Sequence, residues 1–268
     1  MCFKGMFTFI FLLLFSTACR KSENRFPDTK IGGHACAGLS VSNNNYHDNS
    51  LEAYKYARSF EGVEVIEVDV QLSKNGTLWL FHDRELSDQS SGTGAVAQVE
   101  DSYLSTLKYR SLEKEKLIRL EDLPADLKGL TLQLDLKESD GTTSGFIDST
   151  TLLQALIQAQ SYFSNGNLEI ISNSGRFVPT MKSLGFTVYL DAINAAYFFN
   201  HPMNTYADGA SFRNSEITDS DVNSIKFAGK KVIIYDVRSA TGIVSAFEKK
   251  PTVLLTDDIK ATLIEKYK

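Results

Sequence analysis

The sequence carries two histidines, three carboxylates and a lysine whose types and spacing could do chemistry together. "KIGGHAC" brings His34 to the end of an apolar run. "VEVIEVDVQL" sets Glu67 and Asp69 one residue apart, and "TLWLFHD" ends on His82 and Asp83. "LTLQLDLK" ends on Asp135 and Lys137. Three carboxylates brought to one place repel one another strongly in a low dielectric, so they need a cation. An all-oxygen donor set suits a hard divalent cation, Ca²⁺ or Mg²⁺, better than Zn²⁺, which favours His and Cys. The histidines would then be free for proton transfer, one as general base and one as general acid. Lys137 would add positive charge facing an anionic substrate. A cation, a lysine and two histidines suit displacement at a phosphate ester. Singly, a Glu-x-Asp strand or a His-Asp turn is an ordinary surface feature, and joint placement gives these weight. His47, in the polar loop "VSNNNYHDNS", and His201, before Pro202, have no such company and read as surface residues.

The elements that must position these groups alternate. Strands are expected at Lys30–Cys36, Val63–Leu72, Leu130–Lys137, Leu168–Ser172, Phe186–Asp191, Gly209–Arg213, Lys231–Val237 and Thr252–Asp257. Helical patterns such as Asn49–Phe60 and Thr151–Phe163 fall between most of them. Eight such units point to an α/β fold, a (β/α)8 TIM barrel whose active site lies at the C-terminal mouth of the strands. Side chains alternate faces along a strand, so Val63, Val65, Glu67 and Asp69 share one face, and Thr131, Gln133, Asp135 and Lys137 share another. Both faces become polar toward the mouth. "SKNG" signals a two-residue hairpin turn, which makes "TLWLFHD" an antiparallel excursion outside the eightfold count.

The 268 residues are 43% hydrophobic, enough for one large core. A formal net charge of −5 gives no electrostatic case for nucleic acid. Lys4, the apolar run Met6–Phe15 and the small residues "STAC" describe a secretory signal over residues 1–18, too short for a spanning helix. Cys19, directly after Thr17-Ala18, resembles a bacterial lipoprotein cleavage box, which implies lipidation of its thiol. Residues 19–29 then read as a polar tether and 30–268 as the barrel domain. The expected location is the bacterial cell envelope, with the membrane reached through this N-terminal anchor. Cys36 would remain as a lone thiol, read as a buried small hydrophobe.

From His34 to Asp83 the order of motifs resembles the glycerophosphodiester phosphodiesterase family. The pieces are "GGHAC", "DNSLEAY", "EVDVQLSKNG" and "LFHD", followed by "LTLQLDLK", "VIIYDV" and "VLLTDD". The resemblance spans Ile31 to about Ile259. It implies His34 and His82 as the acid–base pair and Glu67, Asp69 and Asp135 as ligands of a divalent cation. It places Lys137 and Asn49 beside the substrate phosphate, and it implies hydrolysis of glycerophosphodiesters to glycerol 3-phosphate and an alcohol. Several positions depart from the family pattern. Ala35 replaces the arginine usual after the first histidine, and Asp48 replaces a glutamate. Tyr235-Asp236 replaces Trp-Thr, and "SDQSSGTG" lacks an arginine. Arg176, Arg213 or Arg238 could substitute from later loops, although each reads first as a surface residue. Two other readings stay open. One is phospholipase C- or D-like action on lipid or head-group phosphodiesters, via a cyclic phosphate. The other is a non-catalytic phosphoester-binding lipoprotein.

Overall fold

The computed structural model describes residues 23–39, 45–143 and 145–268. The expected signal segment and Cys19 lie outside the described residues. Eight parallel strands form the barrel: β1 (Lys30–Gly33), β2 (Val65–Leu72), β4 (Thr131–Lys137), β5 (Asn167–Ser172), β6 (Thr187–Asp191), β7 (Gly209–Arg213), β8 (Lys231–Val237) and β9 (Val253–Thr256). It closes because β1 pairs with β2 on one side and with β9 on the other. β3 (Leu78–Leu80) lies outside the barrel, antiparallel to the end of β2. Helices alternate with most of the strands.

Strand alternation sorts the core. Val65, Ile171, Tyr189, Ile233, Val253 and Leu255 fill the barrel interior. Val68, Val70, Leu132, Leu134 and Leu136 face outward and share a second cluster with Tyr54 and Leu152 from the helices. The parity that sends these apolar residues outward sends Glu67, Asp69, Gln133 and Asp135 inward.

Two expectations are corrected. β1 ends at Gly33 instead of Cys36, because Ala35 (φ 45°) and Cys36 (φ 76°) turn the chain sharply outward. The turn is tight enough that a Cβ on Gly33 would sit 1.8 Å from the Cys36 carbonyl oxygen. The hairpin also needs a longer loop than two residues. Leu72 pairs with Leu78, the Ser73 N–H donates to the Thr77 carbonyl at 2.8 Å, and the Gly76 N–H donates to the Ser73 carbonyl at 3.0 Å. Gly76 has φ +82°, whereas Asn75 stays at negative φ and its side chain accepts from the Asp101 N–H at 2.7 Å. This is the three-residue form, a type I turn closed by a left-handed glycine.

The excursion after β2 is larger than a hairpin. Trp79, Phe81, Leu86, Val96, Leu104, Leu107, Tyr109 and Leu117 make a small core of their own. The Trp79 indole N–H donates to Asp101 at 2.8 Å. This arm takes the place of a long helix between β2 and β4, where the two α-helices have four residues each.

Candidate active site

The mouth of the barrel gathers the groups that the spacing singled out. Glu67 and Asp69 are each 2% exposed on β2. Asp135 lies beside Asp69 in the β2–β4 register. One carboxylate oxygen from each of Glu67, Asp69 and Asp135 lies within 4.8 Å of the others. Lys137 bridges two of them, with Nζ 2.7 Å from Asp69 Oδ1 and 2.7 Å from Asp135 Oδ2. Asn173 also donates to Asp135, at 3.1 Å. Glu67 accepts the Ala35 N–H at 2.6 Å.

These neighbours set the charges. Burial, reinforced by the negative charge of Asp69, pushes the Glu67 carboxyl well above the usual glutamate range. Burial would raise Asp69 too, but the positive charges of Lys137 and His82 outweigh it and hold that carboxyl down. A buried trio with one member forced toward its neutral form is a site short of positive charge. A hard divalent cation fits this donor set, and its charge would let all three ionise.

Each histidine rests on a carboxylate. His34 Nδ1 is 2.9 Å from Asp257 Oδ1, and the same oxygen accepts the Leu39 N–H at 2.8 Å. His82 Nδ1 is 2.7 Å from Asp83 Oδ1. A carboxylate at Nδ1 favours the tautomer with its proton there, leaving Nε2 for chemistry. Burial alone would lower the His34 pKa. The hydrogen bond and charge of Asp257, joined by Glu67 and Asp69, outweigh burial and bring it up to about 9. The chain through His82 is held by Gln71, whose side-chain amide donates to the Phe81 carbonyl at 2.9 Å and the Asp83 carbonyl at 2.7 Å.

Asn49, expected beside the phosphate, has no exposed surface. Its Nδ2 donates to Asp69 Oδ2 at 2.8 Å, and its Oδ1 accepts the Asp69 N–H at 2.9 Å. Its contacts therefore fall on a carboxylate of the trio. Cys36 is buried, as expected, and its N–H donates to the Glu67 carbonyl at 2.7 Å. His47 is half-buried, stacked on Tyr109 with 3.9 Å between centroids and paired with Asp48. It is no free surface histidine, and His201 is half-buried too. The three arginines expected as substitutes lie around the mouth. Arg213 and Arg238 both bind Asp236, Arg238 also approaches Asp257 Oδ2 at 3.5 Å, and Arg176 lies over the Phe146 ring.

Asp257 is the residue that sequence reasoning passed over. It closes the last strand at the mouth, the same signal that singled out Asp135. Tyr235 and Asp191, hydrogen-bonded at 3.3 Å, line the opposite side, with the Tyr235 ring 5.7 Å from that of His34.

A parallel eight-stranded barrel with a carboxylate trio and two carboxylate-backed histidines at its C-terminal mouth defines a class: TIM-barrel enzymes, whose active sites lie at that face. Residues 41–260 match the model of the glycerophosphoryl diester phosphodiesterase family, and the chain belongs to that family. Solved structures share the fold. A glycerophosphodiester phosphodiesterase from Parabacteroides distasonis is 17% identical, with a TM-score of 0.70 over 89% of this chain and 97% of its own. A phosphodiesterase from Oleispira antarctica, solved with the product sn-glycerol-3-phosphate, is 18% identical, with a TM-score of 0.74 over 88% and 96%. A glycerophosphodiester phosphodiesterase from Agrobacterium tumefaciens is 17% identical, with a TM-score of 0.66 over 88% and 99%. No curated protein matches the chain.

Proposed function

We propose that this protein hydrolyses glycerophosphodiesters to sn-glycerol 3-phosphate and an alcohol, using Glu67, Asp69 and Asp135 to hold Ca²⁺ or Mg²⁺ and His34 and His82 for proton transfer. The observation that carries the reading is the pair of histidines backed by carboxylates at the mouth that holds the acidic trio. The bound cation would neutralise and polarise the phosphate. Lys137, fixed between Asp69 and Asp135, would hold positive charge beside the phosphate oxygens. Asn49 would orient Asp69 from behind. One histidine Nε2 takes the proton of the attacking hydroxyl, and the other returns a proton to the leaving alkoxide. Asp257 and Asp83 keep the two rings in the required tautomer.

Glycerol 3-phosphate release from a panel of glycerophosphodiesters, with added Ca²⁺ or Mg²⁺ and with EDTA, tests the reading. EDTA should abolish turnover, and His34→Ala or His82→Ala should lower kcat by about 10²- to 10⁴-fold. Wild-type rates in either variant would refute the two-histidine mechanism. Attack by the substrate's own hydroxyl in place of water would leave a cyclic phosphate, which phosphorus NMR resolves. Export and lipidation of Cys19 complete the proposal. Labelled palmitate should enter the protein made in a bacterial host and be lost in Cys19→Ala.

A further inference from the structure

Beside the catalytic centre the mouth deepens into a cavity of about 450 Å³. His82 and Lys137 form part of its wall, so it opens directly onto the groups that would surround a phosphate. Its volume lies within the range of small-molecule sites. Arg84, Thr143 and Phe146 are also in the wall.

The chemistry of that wall is selective. Arg84 Nη2 donates to the Gly141 carbonyl at 2.9 Å. A guanidinium carries five N–H donors, so this bond leaves several for a ligand. The aromatic face that a quaternary ammonium would stack upon is Phe146, and the Arg176 guanidinium already lies over it, 4.9 Å from the centroid. The carboxylate in the wall is Glu138. It is 3% exposed and already accepts the hydroxyls of Ser172 and Ser174. A cation entering the cavity would meet a guanidinium, a half-exposed ring that already carries the Arg176 guanidinium over one face, and an occupied carboxylate. A ligand rich in hydroxyls would meet donors.

We propose that this cavity receives the alcohol arm of the diester and selects an uncharged polyhydroxylated alcohol, of the glycerol or inositol kind, over a cationic one such as choline or ethanolamine. Arg84 is the specificity-determining residue. The assignment rests on the phosphodiesterase reading above.

Steady-state kinetics on glycerophosphoinositol, glycerophosphoglycerol, glycerophosphocholine and glycerophosphoethanolamine test it. The wild-type kcat/KM should favour the first two by at least about 10-fold, the discrimination expected from hydrogen bonds made to one alcohol and not the other. Arg84→Ala should narrow the gap by lowering kcat/KM for the polyols selectively, and Arg84→Glu should turn the preference toward choline. Arg84 is exposed, so neither change should disturb folding. Equal or better use of glycerophosphocholine by the wild type would overturn the inference while leaving the phosphodiesterase reading intact. So would an equal loss on all four diesters in Arg84→Ala, because the shared glycerol arm would then occupy the cavity. Absence of turnover on all four, with Ca²⁺ and with Mg²⁺, would overturn both.

Discussion

At the scale of single residues, Asn49 and Asp257 show how the groups proposed to react are held by their neighbours. Asn49 stands at a gap in the sheet. β2 pairs with β1 through Val65 and Ile66 and with β3 from Val70 onward. Between those pairings its edge is met piecemeal. The Cys36 N–H donates to the Glu67 carbonyl, the Phe81 N–H donates to the Asp69 carbonyl, and the Asn49 amide takes the Asp69 N–H. Its φ of 56° is a conformation that asparagine tolerates better than most residues. Asn49→Ala should therefore cost about 2–4 kcal/mol, from two lost buried hydrogen bonds and added backbone strain. Asn49→Gly should be less destabilised and lose as much cation affinity, since both variants free the Asp69 carboxylate. Urea unfolding and calorimetric cation titration of the two separate strain from positioning. Asp257→Asn replaces a charged acceptor with a neutral amide at His34 Nδ1. It should lower kcat by about 10- to 100-fold with KM little changed, the usual effect of removing an outer partner from a functional histidine. A matching rise in KM would contradict a positioning role.

At the scale of elements, the site depends on where strands stop. Gly33 allows the chain to leave β1 abruptly, and that exit aims both His34 and the Ala35 N–H that binds Glu67. Gly33→Ala should displace both, so activity and cation affinity should fall together while the far side of the barrel keeps its hydrogen-exchange protection. The arm carrying His82 depends on its separate core. Trp79→Ala would remove a residue 1% exposed and its bond to Asp101, costing about 3–5 kcal/mol. Circular dichroism and thermal melts would read that loss. Most of this framework was legible in the sequence. Alternation along Val65–Leu72 and Thr131–Lys137 fixes which side chains point inward, and a strand's late end marks the mouth. Where the sequence reading missed, non-local contacts decide. The end of β1 depends on left-handed residues at 35 and 36 that no apolar pattern announces. The three-residue turn at Lys74–Gly76 is selected by Asn75 binding Asp101, 26 residues away. Asp257 gains meaning only when closure of the barrel brings β9 against β1 and sets it at His34, 223 residues away.

At the scale of the whole molecule, the chain enters on the face opposite the mouth. The Arg25 N–H donates to the Lys266 carbonyl, Phe26 stacks on Phe247 and the Thr29 hydroxyl donates to the Pro251 carbonyl, all beyond the N-terminal ends of the strands. The barrel's stability should report the charge state of that mouth. Without a cation, His34 binds its proton more tightly in the folded protein than in the unfolded chain, with a pKa of about 9 against 6.5. The folded state then carries more protons across that window, so stability is fully present below it and falls as pH rises through it, by at most about 3 kcal/mol. Glu67, raised by burial and by Asp69, contributes with the same sign. A bound cation changes the balance, because it needs Glu67 ionised and lowers the demand for a charged His34. Stabilisation by a cation at 100 times its dissociation constant is about 2.7 kcal/mol, and at a fixed cation concentration it should grow with pH until Glu67 has lost its proton. Urea unfolding in EDTA at about pH 6 and about pH 9 should show the decline, and saturating Ca²⁺ or Mg²⁺ should flatten it. Asp257→Asn should shrink it without any cation, since the largest of the groups that raise His34 is gone while Glu67 and Asp69 remain. A stability in EDTA that rises over the same interval would mean that the carboxylates and His34 are not coupled as their distances imply.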